Sequence, residues 1–190
     1  MTKVAVWCRH VDDNIIGIGP NIPWHIKSDF QRFRRITEGQ YLVAGETTYE
    51  SFPNRTLPNR KIIVLTFNQN YEVSDKDNHF VCTDVSELVE FEYDLYISGG
   101  ASVYKLFMTN DKVMPEIVVD CEYVGEINSD LEGVKVDITP SVDSMRKHYR
   151  KISKDYVLDH VNTSVWVKNG AFVEQNTLKH VIMAIEKGFE

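Results

Sequence analysis

The chain is organised around one stretch, Gly17–Phe33, which reads GIGPNIPWHIKSDFQRF. It begins with the glycines and prolines of a loop and then enters a predicted helix over residues 28–37. Ser28 is the expected N-cap, because Gln31 follows at capping-box spacing. Asp29 then lies in the first turn, on the same face as Phe33. The stretch therefore places a carboxylate near apolar side chains, where desolvation raises a pKa and the helix N-terminus lowers it.

Short apolar runs and helical patterns alternate around this stretch. Strands are predicted at residues 4–8, 41–44, 61–66, 79–82, 95–98 and 116–119, and helices at 28–37, 46–52, 84–91 and 101–109. This alternation predicts an α/β fold with a central, mostly parallel sheet and helices on both faces. Such sheets bind ligands beyond the carboxyl ends of their strands, so one cleft should collect the residues that follow them.

The C-terminal third has a different pattern. Residues 122–147 are polar with little periodicity and are interpreted as loops, whereas 149–159 and 163–168 are predicted to form an antiparallel strand pair. An amphipathic helix is predicted over 176–187, with Asn176 as its cap, in an appended segment 174–190. We expect one domain, 1–190, with this helix docked on it in a monomer; a dimer through the helix is the alternative.

Composition narrows the function classes. The net charge of −7 disfavours nucleic acid and anionic membranes as partners, and neither a membrane span nor a signal peptide is recognisable. Cys8, Cys82 and Cys121 are widely spaced, which indicates reduced thiols and a cytoplasmic location. No metal site is expected, since HExxH and CxxC patterns are absent.

Two further segments carry residues suited to ligand binding. The first is Gly45–Phe52, a glycine followed by hydroxyl residues at the start of a helix, with Leu57-Pro58-Asn59-Arg60 after it. The second is Gly99–Tyr104, in which two glycines join a strand to a helix. Both can bring backbone N–H groups close to a phosphate, although each alone is equally the pattern of a tight turn.

Together these segments resemble the dihydrofolate reductase family. The N-terminal signature is matched by Ile16-Gly17, Asn21-x-Pro23-Trp24, Asp29, Phe33 and Thr37, and the similarity runs from about residue 3 to about residue 120, with weaker support to 168. The chain is thereby identified as a divergent bacterial or phage-type member.

The resemblance implies a reaction and a set of site residues. The reaction is reduction of 7,8-dihydrofolate to 5,6,7,8-tetrahydrofolate by hydride transfer from NADPH, which supports one-carbon and thymidylate metabolism and is an antifolate target. The implied catalytic group is Asp29, with Trp24 and Ile22 in a closing loop. The implied substrate-binding residues are Val6, Cys8, Asp29, Phe33, Phe52, Leu57, Arg60, Ser98 and Asp120. The implied cofactor-binding residues are Cys8, Ile16, Gly17, Gly45, Glu46, Thr47, Thr48, Thr66, Phe67, Gly99, Gly100, Ala101, Ser102, Val103 and Tyr104.

Several residues depart from the family pattern. Glu46 stands where an arginine commonly binds cofactor phosphates, and Phe67 replaces a polar residue near the 2′-phosphate, so NADH is an alternative hydride donor. Ser98 replaces an aliphatic residue before Gly99, and Asp120 takes the place of a threonine that contacts the substrate. If Asp120 and Asp29 share the pocket, their like charges should raise one pKa.

Two other functions remain open on the sequence alone. One is a related reductase acting on a pyrimidine intermediate of flavin synthesis, which Asp29 together with Arg60 argues against. The other is a folate-binding or structural protein of the same fold without turnover, which Glu46, Phe67 and Asp120 favour.

Overall fold

The computed structural model describes residues 1–190 and contains eleven strands and five helices. The strands are β1 Lys3–His10, β2 Ile15–Ile18, β3 Tyr41–Gly45, β4 Lys61–Leu65, β5 His79–Cys82, β6 Leu95–Gly99, β7 Ile117–Tyr123, β8 Lys135–Asp137, β9 Tyr149–Lys151, β10 Tyr156–Leu158 and β11 Val161–Lys168. The helices are α1 Lys27–Thr37, α2 Glu46–Ser51, α3 Ala101–Thr109, α4 Thr139–His148 and α5 Gln175–Glu186. None of the helices combines the length and apolar character needed to cross a membrane.

Nine strands form one sheet in the order β10-β11-β7-β1-β6-β3-β4-β5, with β9 also paired to β11. The pairs from β7 through β5 are all parallel, and β11 is antiparallel to β7, β9 and β10. The predicted mostly parallel sheet and C-terminal antiparallel pair are thus confirmed. A separate pair, β2 with β8, lies outside this sheet.

Successive side chains of β1 point to opposite faces of the sheet, into two separate layers of the core. Val4 and Val6 point into one layer, which α1 and α5 cover, whereas Ala5 and Trp7 point into the other, which α3 and α4 cover. Helices therefore lie on both faces, as predicted. Parallel strands need such cover, because both of their faces are apolar.

The segment 122–147 was wrongly predicted to be loop. β7 continues through Asp120 to Tyr123, and α4 follows β8. Helix α4 buries only Ser141, Val142 and Met145, so its apolar stripe is too narrow for an amphipathic pattern to be recognised. Its boundary signals are instead a proline in the first turn and a basic last turn.

Two predicted helix caps were also wrong. Helix α1 begins at Lys27 with Ile26 as its N-cap, and the Ser28 hydroxyl is buried without a hydrogen-bond partner. Helix α5 begins at Gln175, one residue before Asn176. The helix predicted over 84–91 was wrong as well, because this segment forms only a short 3-10 turn, Val85–Leu88, capped by Asp84.

Candidate active site

The carboxyl ends of the central parallel strands meet at one edge of the sheet. In the register of β3 and β6, Ala44 lies opposite Gly99. Strand β1 runs between β6 and β7, with Cys8 directly opposite Cys121. The residues that follow these strands therefore surround one cleft, where open α/β sheets bind their ligands.

Asp29 projects from the first turn of α1 towards this cleft. Its side chain is 15% exposed, and Nη1 of Arg32 donates a 2.9 Å hydrogen bond to its Oδ1. Burial raises the pKa of the Asp29 carboxyl above its usual value, although the neighbouring charge of Arg32 acts in the opposite direction. The carboxylate is thus held in a dry place with one cationic partner.

Apolar side chains form the walls beside Asp29. Cys8, Phe33 and Leu57 are half-buried and pack on the core layer that contains Val6. Phe52 packs half-buried on a smaller cluster that Leu57 also joins. Burial raises the pKa of the Cys8 thiol well above its usual value, so the thiol is neutral at neutral pH. These residues make a partly open, largely uncharged cleft.

Arg60 is fixed at the C-terminal end of α1. Its guanidinium donates to the carbonyl oxygens of Pro58 and Arg34 at 2.5 and 2.9 Å, and to Oγ1 of Thr37 at 3.3 Å. Only 7% of the residue is exposed. A guanidinium held this way is pre-organised for a carboxylate that approaches its one remaining N–H, on Nη1.

The placement of Asp120 in the substrate pocket was wrong. Its carboxylate accepts hydrogen bonds from Nε1 of Trp7 at 2.7 Å and from Nε and Nη2 of Arg9 at 2.9 Å. Trp7 points into the α3 and α4 layer, opposite to the face where Cys8 and Asp29 lie. Cys121, one residue further along β7, takes the pocket side, because successive strand residues point to opposite faces.

The glycines bring α2 and α3 close together at the strand ends. A Cβ on Gly45 would lie 3.1 Å from Cγ2 of Val103, and one on Gly100 would lie 3.2 Å from Oγ1 of Thr48. Gly99 has φ +113°, a conformation that glycine adopts readily. The first residues of both helices, including exposed Thr47 and Ser102 and half-buried Ala101, therefore border the same cleft.

Tyr104 connects this second segment to β1. Its buried hydroxyl donates a 2.6 Å hydrogen bond to the carbonyl oxygen of Val6, and its ring packs edge-on against Trp7 at 5.4 Å. The Ser98 hydroxyl donates to the carbonyl oxygen of Val43 at 3.0 Å, so it binds the neighbouring strand. Both contacts fix the strand ends that form the floor of the cleft.

Glu46, Thr66 and Phe67 form the far end of the cleft. The Thr66 hydroxyl donates to the Glu46 carboxylate, and the Thr66 oxygen also accepts from the backbone N–H of Asn68 at 2.9 Å. Phe67 is 97% exposed. This end of the cleft thus carries a negative charge beside a free aromatic face.

The loop before α1 is joined to the loop before β8. Gly19 N–H donates to the Val134 carbonyl and Asn128 N–H donates to the Pro23 carbonyl, at 2.9 and 3.0 Å. Trp24 is buried and packs on Tyr123 with ring centroids 4.8 Å apart, whereas Ile22 is 48% exposed. Nε1 of Trp24 is buried and makes no hydrogen bond of full geometry, but it lies close enough to Asp29 to lower the pKa of that carboxyl. Ile16 and Gly17, in β2, precede this loop.

Two side chains near Asp29 were missed in the sequence. Arg32 is three residues after Asp29, a spacing that brings helical side chains together, and this was the available signal. Cys121 could be recognised only from the pairing of β1 with β7, which the sequence does not reveal.

Comparison with known proteins gives a family for this geometry. The family model described as dihydrofolate reductase matches residues 4–164. Dihydrofolate reductase of Mycoplasma genitalium is 28% identical over 159 residues, 80% of this chain and 95% of that protein. Dihydrofolate reductase type 5 of Escherichia coli is 30% identical over 129 residues, 66% of this chain and 80% of that protein.

A solved structure agrees with the observed fold. Dihydrofolate reductase from Enterococcus faecalis, complexed with NADP(H) and RAB-propyl, superposes with a TM-score of 0.69 at 23% identity, covering 88% of this chain and 96% of that one. The flavin-synthesis reductase and the non-catalytic binder are not favoured by these matches. The chain belongs to the dihydrofolate reductase family, the enzymes that reduce dihydrofolate to tetrahydrofolate.

Proposed function

We propose that this chain transfers hydride from NADPH to C6 of 7,8-dihydrofolate, with Asp29 as the catalytic group. The observation that carries the proposal is the buried Asp29 carboxylate at the strand ends, paired with a single arginine and bordered by apolar walls. A carboxylate in such a place accepts hydrogen bonds strongly, since water does not compete. The N3–H and 2-amino groups of a pterin are donors that match it.

The rest of the substrate extends from Asp29 towards Arg60. The pterin and benzoyl rings pack against an apolar surface formed by Val6, Cys8, Phe33, Phe52 and Leu57. The fixed guanidinium of Arg60 binds the α-carboxylate of the glutamate tail. Ser98 contributes to the floor through its backbone, because its hydroxyl is bonded to Val43.

Asp29 also assists the proton that must reach N5. An ionised carboxylate at the N3 side makes the bound ring more basic, and a water bound beside Nε1 of Trp24 would deliver the proton. Ile22 and Trp24 belong to the loop that excludes solvent during the reaction. The chain thus orients the pterin and promotes its protonation, while proximity in a dry cleft supplies much of the rate.

The residues at the second segment fit a dinucleotide cofactor. Gly45, Gly99 and Gly100 leave room for close backbone approach, and α3 begins with Ala101, Ser102, Val103 and Tyr104 at the place where a pyrophosphate would be bound. The cofactor side of the cleft also includes Ile16, Gly17, Thr47, Thr48 and the backbone of Cys8. When bound there, a reduced nicotinamide supplies the hydride.

The choice between NADPH and NADH is decided at Glu46, Thr66 and Phe67. A carboxylate repels the 2′-phosphate of NADPH and accepts a hydrogen bond from the 2′-hydroxyl of NADH. Phe67 offers its exposed face to the adenine. We therefore propose that NADPH is the donor, that NADH can replace it, and that Glu46 weakens the discrimination between them.

We also propose that residues 1–190 form one domain that acts as a cytoplasmic monomer without nucleic-acid partners. Helix α5 packs on its own chain, all three cysteines are free thiols, and the net charge is −7.

The test is oxidation of NADPH, with NADH alongside, on adding dihydrofolate. We expect turnover that methotrexate blocks, and we expect Asp29→Asn to lower turnover at neutral pH by about 100-fold or more, the range for a lost acid–base group. Activity of the variant should partly recover at low pH, where N5 is protonated by solvent. Unchanged turnover in Asp29→Asn would remove this residue from the mechanism, and methotrexate binding without turnover would contradict the proposed reaction.

A further inference from the structure

Arg32 is a buried cation inside the candidate active site. Only 3% of its side chain is exposed, and Nη1 bonds the Asp29 carboxylate at 2.9 Å. Its other terminal nitrogen, Nη2, is buried and has no hydrogen-bond partner. An arginine is rarely placed in the interior unless an anion beside it offsets the loss of hydration.

The other groups around Arg32 do not supply that anion. Cys8 on β1 and Cys121 on β7 both have raised thiol pKa values, that of Cys121 at about 11, because burial disfavours the thiolate. Arg35, one turn away on α1, is a second cation and not an anion. Its pKa is lowered mainly by burial, and the positive charge of Arg32 lowers it further. His180 of α5 is bonded to the Ile36 carbonyl. At neutral pH the negative partner of Arg32 is therefore Asp29.

We propose that Arg32 is a positioning residue, whose guanidinium keeps Asp29 ionised and fixes one of its oxygens so that the other faces the substrate. The inference rests on the proposed function of Asp29. It follows from the i, i+3 ion pair, from the burial of both partners and from the lack of any other anion beside the cation. Arg32 acts through Asp29 and needs no contact with the pterin.

The direction of the effect follows from the two largest influences on the pKa of Asp29, which are opposed. Burial raises the pKa of this carboxyl, and the positive charge of Arg32 lowers it. Removing the charge takes away the largest influence that opposes burial and leaves only the smaller effects of Cys8 and Trp24, so the carboxyl stays protonated to a higher pH. A protonated carboxyl offers one acceptor fewer to the N3–H and 2-amino donors of the substrate. In the variant, the loss of substrate affinity at low pH should therefore begin at a higher pH than in the wild type.

The deciding experiment follows the ¹³C shift of the Asp29 carboxyl carbon in the free protein across pH, with the signal assigned by its absence in Asp29→Asn. We expect Arg32→Met to move the midpoint upward by about one pH unit or more, the usual effect of losing a close opposite charge. Arg34→Met is the matched control, since Arg34 lies on the same helix but is 65% exposed and pairs with Glu38; its midpoint should equal that of the wild type. An unshifted midpoint in Arg32→Met overturns the proposal.

Arg32→Lys and Arg32→Gln keep the test decisive if Arg32→Met does not fold. Lysine retains the charge and should keep the midpoint near the wild-type value, whereas glutamine should raise it; equal midpoints in the two variants overturn the proposal. This titration needs no turnover, so its result is independent of whether the chain reduces dihydrofolate.

Steady-state kinetics supplies a second readout. We expect Arg32→Gln to raise the KM for dihydrofolate at neutral pH more than it lowers kcat, and to move the acid limb of kcat/KM to higher pH. In an Asp29→Asn background the same substitution should leave both parameters unchanged, because the group through which Arg32 acts is gone. A full additional loss in that background would show a role independent of Asp29 and contradict the inference.

Discussion

Asp29 and Asp120 are both buried carboxylates bonded to an arginine, yet they lie on opposite faces of the sheet. Asp29 is reached from the cleft, with 15% of its side chain exposed. Asp120 is 2% exposed and has three donors from Trp7 and Arg9, so its charge is satisfied within the fold. At the scale of single residues, we propose a chemical function for the first, whereas the contacts of the second are structural.

This difference predicts opposite effects of two similar substitutions. Asp120→Ala should destabilise the protein by about 3–5 kcal/mol, because it leaves the buried Arg9 cation with weaker compensation. The pH dependence of turnover should not change, since Asp120 faces away from the cleft. Urea unfolding and pH–rate profiles measure the two effects, with Asp29→Asn as the reciprocal control. A shifted pH profile in Asp120→Ala would return this residue to the pocket.

Glu46 gives a second prediction at this scale. Glu46→Arg should raise the ratio of kcat/KM for NADPH over that for NADH by roughly tenfold or more, since repulsion of the 2′-phosphate becomes attraction. Glu46→Gln should give a smaller rise in the same direction. Glu50→Gln, on the same helix but bonded to Arg55, should leave the ratio unchanged. An equal ratio in all four proteins would place the 2′-phosphate elsewhere.

The residue scale also shows what the sequence can and cannot predict. Asp29 could be predicted because its neighbours along the chain carry a recognisable pattern. Asp120 was misplaced because a shift of one residue along a strand exchanges the two faces of the sheet. The burial of Arg32 could not be predicted, because arginines on amphipathic helices are ordinarily exposed.

At the scale of elements, the loop before α1 and the loop before β8 approach each other closely. Gly133 has φ +136°, and a Cβ there would lie 2.9 Å from the Cα and N of Gly19. The backbone bond from Gly19 to Val134 lies beside this contact. The loop that carries Ile22 and Trp24 thus rests on a segment that requires glycine.

Gly133→Ala should therefore separate the two loops. We expect kcat to fall several-fold with the fold retained, because the loop that we propose to exclude solvent no longer lies in its place. Gly170→Ala is the matched control: Gly170 also has positive φ, +74°, but a Cβ there meets nothing within 4 Å. Gly170→Ala should lower the free energy of unfolding by about 1 kcal/mol, the cost of positive φ at alanine, and should leave kcat unchanged. Equal kcat values in the two variants would contradict the importance of this contact.

Elements with strong periodicity were predictable and those with little periodicity were not. Helix α3 has its predicted ends, 101–109, because its buried residues form a clear stripe. Strand β2 was missed, since its four residues pair with β8 across a long sequence separation. Strand β7 was predicted too short, because Asp120 reads as a strand end unless its partner Arg9 is known.

At the scale of the whole molecule, the C-terminal helix joins the core that supports the cleft. Val181 and Ile185 are fully buried in the layer that contains Val4 and Ile36. Arg35 of α1 donates to the Ala184 carbonyl at 2.9 Å, and His180 bonds the Ile36 carbonyl at the same distance. Helix α5 therefore packs directly against the helix that carries Asp29 and Arg32.

This packing predicts that the tail unfolds together with the rest. Ile185→Ala should lower the free energy of unfolding by about 2–4 kcal/mol, the usual cost of a cavity at a buried isoleucine. Met183→Ala, at a position 46% exposed on the same helix, should change it by less than about 0.5 kcal/mol. Urea unfolding followed by tryptophan fluorescence and circular dichroism should give one coincident transition. A separate early transition for the helix signal would contradict a shared core.

Because α1 and α5 bury each other's side chains, the sequence of one helix has to remain compatible with the sequence of the other. Helix α5 lies outside residues 4–164, where the family model matches, while α1 lies within them. A recombinant that received α1 from a relative lacking the tail would leave Val181 and Ile185 facing a surface not shaped for them. Substitutions at Arg35 or Ile36 are accordingly expected to evolve in step with changes in a segment far away in the gene.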